Sequence, residues 1–175
     1  MAAKLYKKIT NNPNAKTSQI KAKTIDSFFR YLITTFYDEI GFTNKPDFRL
    51  DIKNKENYKR IISEIIINNR LERSFFKDGK VDISNYFIKN LDTHMRSGKS
   101  IDSNYDVLAK LVTSWQLEHN SIYTFSSASL ILFNALSKNK VLVEKINSLY
   151  EYVLIDEFQD INDIQDSIFK KMYED

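Results

Sequence analysis

The chain has no cysteine, which excludes a disulfide framework and any thiolate metal site and suits a reducing compartment. It has only three glycines and two prolines in 175 residues, too few for the many tight turns of an all-β fold, so helices should dominate. It has no apolar run of 18 residues and no secretory leader pattern, and the expectation is a soluble cytoplasmic protein with no membrane partner. Its two histidines, His94 and His119, stand apart in sequence, which favours ordinary hydrogen-bonded or surface roles over a metal site.

What is present is a chain long enough for one domain with a substantial core, 42% apolar and 28% charged. Its net charge of +3 hides a strong asymmetry. Residues 1–100 hold 20 Lys and Arg against 11 Asp and Glu, while residues 101–175 hold 6 against 12. A basic half can attract phosphate backbones and an acidic end can hold a cation, although solvated helix faces are the more common account of either. Lys53, Lys55, Lys59 and Arg60 could form a basic edge, and a solvated face is the simpler account of any one of them.

Periodicity places the elements. "MAAKLYKKI" has helical spacing and "TNNPNAKTS" ends it. "QIKAKTI" alternates like a strand, after which Asp26 and Ser27 offer an N-cap to "FFRYLITTFYDEI". Helices are predicted around Tyr58–Ile66, Ile83–Met95 and Val107–Trp115, with turns at "KDGK" and "RSGKSIDSN". "SSASLILFNAL" and "VLVEKINSLY" add two more, then the apolar strand "YVLI" leads into a closing helix with Ile161, Ile164, Ile168, Phe169 and Met172 on one side. Two strand-to-helix units thus flank about 75 residues of helical material, an α/β layer with a helical insertion. Trp115 lies on an apolar helix face and reads as core rather than a base-stacking platform.

The stretch with most chemistry in it is "VLIDEFQDINDIQ", where an apolar run ends in Asp156 and Glu157. A fixed strand end carrying two adjacent acids suits the magnesium side of a nucleotide-hydrolysing site, because one carboxylate can hold the cation while the other orients and deprotonates water. Adjacent acids repel in a dry crevice, and a divalent cation relieves that repulsion.

This string closely resembles motif II of the UvrD/Rep family of superfamily 1 DNA helicases. Asp156, Glu157, Phe158, Gln159, Asp160, Asn162 and Gln165 match its pattern, and Ile161 stands where threonine is usual. With Asp160 in place, that last helix could still be capped. "MAAKLYKKI" resembles the helix after motif Ia, and "AKTIDSFFRYL" resembles motif Ib, with Thr24 and Ser27 matching and Asp26 replacing histidine. "YTFSSASLILFNAL" resembles the segment preceding motif II. The fold implied is a mainly helical α/β piece of a P-loop NTPase (RecA-like) domain with a small parallel sheet. Residues 1–44 and 120–175 would belong to subdomain 1A, and 45–119 to the helical insertion 1B.

By the same resemblance, Asp156 would ligate Mg²⁺, Glu157 would be the general base, Gln159 would lie at the nucleotide or merely stiffen its turn, and Thr24 and Ser27 would meet DNA backbone oxygens. Asp26 repels phosphate and suits a helix cap better. ATP and Mg²⁺ are the implied cofactors of a longer parent protein. Single-stranded or duplex DNA and the remaining helicase domains are the implied partners, with repair as a setting. ATP hydrolysis also needs a G-x4-G-K-[ST] cradle, and only "SGKS", residues 97–100, comes near it. Position 93, where the first glycine belongs, is Thr93, and a helix precedes it. The chain is therefore expected to be a helicase fragment that binds no nucleotide and hydrolyses no ATP alone. Alternatives are a RecB/AddA-like helicase–nuclease subunit, to which "TIDSFF" also bears likeness, or a non-enzymatic nucleic-acid or partner-binding module of the same ancestry.

Overall fold

The computed structural model describes residues 21, 23–76, 83–98, 102–150 and 153–173. Where apolar residues recur every three or four positions the chain is helical. α1 (Ile25–Thr35) buries Phe29, Leu32 and Ile33, and the short α2 (Tyr37–Ile40) follows it. α2 stops at Gly41, whose φ of 111° is open to a residue without a Cβ. β1 (Asp47–Phe48) and a 3-10 turn (Ile52–Asn54) lead to α3 (Lys55–Asn68), α4 (Glu72–Phe75), α5 (Asn85–Ser97) and α6 (Ser103–Glu118). β2 (Ser121–Ile122), α7 (Phe125–Lys138), α8 (Lys140–Asn147), a 3-10 turn (Phe158–Asp160) and α9 (Asp163–Tyr173) complete the order. The helix expected over "MAAKLYKKI" and the "KDGK" turn lie outside the described residues.

A mainly helical chain with a small parallel sheet is what the sequence predicts, but other residues make the sheet. β1 and β2 run parallel, Asp47 opposite Ser121 and Phe48 opposite Ile122, with Asp47 N donating to Asn120 O (2.8 Å) and Arg49 N to Ile122 O (2.7 Å). The predicted strand at 19–25 is absent from its described residues: Lys21, Lys23 and Thr24 are not in a strand, and Ile25 opens α1. Val153–Ile155 also pair with no strand among the described residues, although they keep a strand's alternation. Val153 and Ile155 pack on the core while Leu154 is 76% exposed. Alternation states which side chains face inward, whereas a strand exists only once its N–H and C=O groups find a ladder.

The β1–β2 ladder sits where two hydrophobic clusters meet. One gathers α1, α2, β2, α7, α8 and α9 around Leu32, Ile33, Phe42, Leu132, Leu142 and Ile168. The other gathers α3, α5 and α6 around Ile62, Ile66, Leu91, Leu108 and Val112. Asn120, at φ 47°, ties the crossing: its Oδ1 accepts from Asn44 N (2.8 Å) and its Nδ2 donates to Thr43 Oγ1 (3.0 Å). Tyr123, just after β2, stacks on Tyr58 of α3 with ring centroids 5.3 Å apart and accepts from Asn57 Nδ2 at 2.9 Å. α7 serves both clusters, through Ile131 and Leu132 on one side and Leu130 on the other.

Candidate functional site

At the N-terminus of α1 the cap is Thr24, not Asp26 or Ser27 as the sequence suggests. Ser27 N donates to Thr24 Oγ1 at 3.2 Å. The helix begins three residues earlier than expected because Ile25 joins the apolar stripe, and that puts Asp26 inside the first turn. There its half-buried carboxyl is pushed up by loss of water, an effect the nearby Arg96 opposes. Thr24 and Ser27 are exposed and line a cleft of about 230 Å³ with Asp26, Arg30 and Phe125. Arg30 also lies over the Phe48 ring, 4.7 Å from its centroid. The cleft thus combines two hydroxyls, a guanidinium and a 40% exposed aromatic ring. Each is a group that grips a sugar–phosphate strand or its bases.

Asp156 and Glu157 occupy the turn after Val153–Ile155. Asp156 is exposed and makes no hydrogen bond or ion pair with the described residues. Glu157 is half-buried and stands at φ 53°, ψ 47°, a left-handed conformation that costs a side-chain-bearing residue about 1–3 kcal/mol and concentrates at functional sites. Its carboxylate accepts from Gln159 Nε2, and its carbonyl accepts from Asp160 N at 2.9 Å. Gln159 therefore stiffens the acidic turn. The closing helix is capped by Asn162 rather than Asp160, in a reciprocal pair: Gln165 N donates to Asn162 Oδ1 (3.0 Å), and Asn162 N donates to Gln165 Oε1 (3.1 Å). So two amides of the acidic string hold its backbone, and both carboxylates stay clear of the capping. Neither carboxylate lines the cleft at Thr24 or the groove beside α5, so the structure does not gather the predicted site residues into one cavity.

The decoys resolve plainly. Ser97 ends α5 and Gly98 caps it at φ 59°, so "SGKS" opens on a helix C-terminus and not on the strand-to-helix bend a phosphate cradle needs; Lys99 and Ser100 lie outside the described residues. His94 is buried with Nε2 2.7 Å from Asp106 Oδ1, and His119 stacks on Trp115 at 3.9 Å. Trp115 packs half-buried on the α3–α6 cluster, as expected. Of the supposed basic edge, Lys59 pairs with Glu56 (2.7 Å) and Arg60 with Glu64 (3.3 Å). Lys55 instead lines the groove beside α5.

With an acidic turn carried on capped amides and a hydroxyl-lined cleft at the head of α1, comparison with known proteins becomes decisive. The family model described as the UvrD/REP helicase N-terminal domain matches residues 1–175. The chain belongs to this family. A "Probable DNA helicase II homolog" from Mycoplasma capricolum subsp. capricolum is 26% identical over 156 residues, covering 89% of this chain and 20% of that protein. The chain thus spans about a fifth of the length of the curated relative it matches. No solved structure matches it.

In this UvrD/REP domain, the donor set at the turn suits the magnesium that the family implies. Mg²⁺ binds through one or two carboxylates plus phosphate oxygens and water, and an exposed, unengaged Asp156 beside Glu157 provides that. Among the described residues no group of three or more His, Asp or Glu converges. Sequence reasoning missed Arg30, Phe125 and Arg96. Arg30 was findable, three residues after Ser27 on one helix face. Phe125 and Arg96 come from distant elements, and only packing brings them to the head of α1.

Proposed function

We propose that the chain is part of an ATP-dependent DNA helicase, contributing one half of a magnesium–nucleotide site and part of a single-strand grip. Asp156 would hold Mg²⁺, which when bound supplies charge neutralisation at the nucleotide phosphates. Glu157 takes a proton from the attacking water, its carboxylate aimed by Gln159 and by the left-handed backbone at its own Cα. Thr24 and Ser27 hydrogen-bond to DNA backbone oxygens at the cleft shared with Arg30. Residues 45–119 act as an insertion, 1B, between two segments of 1A. This is supported by the separation of the two hydrophobic clusters near those boundaries. Within the parent, hydrolysis drives stepping along DNA.

The observation that carries this reading is the acidic turn itself, where Asp156 is left unengaged and Glu157 is held in a strained conformation that structural economy alone would avoid. Glu157→Gln in the full-length parent should lower DNA-stimulated ATP hydrolysis by roughly 10²–10⁴-fold, the usual worth of a general base, while nucleotide binding persists. A rate within a factor of a few of wild type would remove Glu157 from the chemistry. The 175-residue chain has no G-x4-G-K-[ST] sequence and should show no hydrolysis above background by phosphate release.

A further inference from the structure

Where α3 and α5 meet the start of α7 lies a polar seam that the helicase reading does not use. Tyr58 of α3 is 3% exposed, and its hydroxyl has no hydrogen-bond partner among the described residues. Asp92 of α5 likewise buries its Oδ1 with no donor to it. Both lie by Thr124, the N-cap of α7, whose hydroxyl bears on the charge of each. The hydrogen of that hydroxyl goes to Ser127 Oγ (3.2 Å), while its oxygen accepts from Ser127 N (3.1 Å). What Thr124 Oγ1 still has to offer is a lone pair.

That lone pair favours one form of Asp92. A charged carboxylate only accepts, so it gains nothing from Thr124 and leaves a buried oxygen without a donor, whereas the neutral acid has an O–H to give. Loss of water pushes the Asp92 carboxyl above its ordinary value of 3.8, against the Thr124 hydroxyl, the Arg96 guanidinium and the Ser126 hydroxyl. Of these, Thr124 can act only by giving a hydrogen that Ser127 already takes. Arg96 is shared: its Nε donates to Ser126 Oγ (3.0 Å), and Asp26 draws on the same charge. Lys55 and Lys89, on the groove that Asp92 borders, and the N-terminus of α7 also favour the charged form. Tyr58 supplies that form with an alternative. Burial, and next the charge of Asp92, keep its phenol protonated, so it has a hydrogen to give.

We propose that Asp92 is a proton-operated latch between α5 and α7. Neutral, it donates to Thr124 and fastens the α3–α6 cluster to α7; charged, it turns to Tyr58 and releases that contact. Urea unfolding of the 175-residue chain and of Asp92→Asn, from about pH 4 to 8, measures the latch. Asparagine keeps the shape and a donor but never carries the charge. Because the folded state holds the proton more tightly than the unfolded chain, the stabilisation is complete below the ordinary aspartate value and is lost as pH rises through the folded one. Asp92→Asn should therefore have the higher midpoint at pH 8, by a gap that narrows as pH falls, every other titrating group being common to both chains. Tyr58→Phe, made in both, removes the donor left to the charged form. It should widen the gap at pH 8 and raise the pH at which the gap levels off by about one unit, the worth of a hydrogen bond to a charged group. A gap that does not change with pH overturns the latch, as does an Asp92→Asn chain that is less stable than wild type, or unfolded, at pH 8. So does a Tyr58→Phe change that leaves the gap as it was.

Discussion

Glu157 carries backbone strain at the residue we propose as the general base. A non-glycine residue at φ 53° persists only where its neighbours hold it, here Gln159 on the side chain and Asp160 N on the carbonyl. Glycine meets no steric penalty there, whereas alanine keeps the strain and loses the side-chain bond. Glu157→Gly should therefore be more stable than Glu157→Ala by about 1 kcal/mol in urea unfolding. Equal midpoints would mean that the backbone at this turn stores nothing. The identity of the two acids was readable in the string "DEFQD"; that the second sits in a left-handed turn was not, because glutamate gives no local signal for that conformation.

At the scale of elements, the caps decide where helices start, and here the sequence named the right kinds of residue at the wrong positions. Thr24 caps α1 where Asp26 was expected, and Asn162 caps α9 where Asp160 was expected. Several capping-competent residues precede each helix, and the choice falls to whichever register buries the full apolar stripe: Ile25 with Phe29 in α1, Ile164 with Ile168 in α9. Asn162→Ala removes one half of a reciprocal pair and should cost about 1 kcal/mol, whereas Asp160→Ala should cost a few tenths at most; chemical denaturation of both variants decides between the two caps. The helices over 58–66, 83–95 and 107–115 were legible because their 3.6-residue period is strong. The strands were not, since each of the two among the described residues is two residues long and is fixed by the other.

For the whole molecule, the question is whether two hydrophobic clusters make one cooperative unit. α7 lends residues to both, and Ile122 of β2 and the adjoining Tyr123 fall in different clusters. Ile62→Ala and Leu132→Ala, one in each cluster and both fully buried, should each cost about 2–5 kcal/mol and shift the same single unfolding transition. Separate shifts, seen as two transitions by circular dichroism, would show that the clusters unfold independently.

By itself the sequence determined the helical class and the acidic string whose resemblance pointed to the family, because helical period and a dense motif are local properties written in consecutive residues. Only the tertiary structure decided which segments pair as strands, which residues cap, and that Phe125 and Arg96 reach the head of α1. Those outcomes depend on groups up to about a hundred residues apart competing for the same hydrogen bonds and the same buried space, and no window of sequence holds both competitors at once.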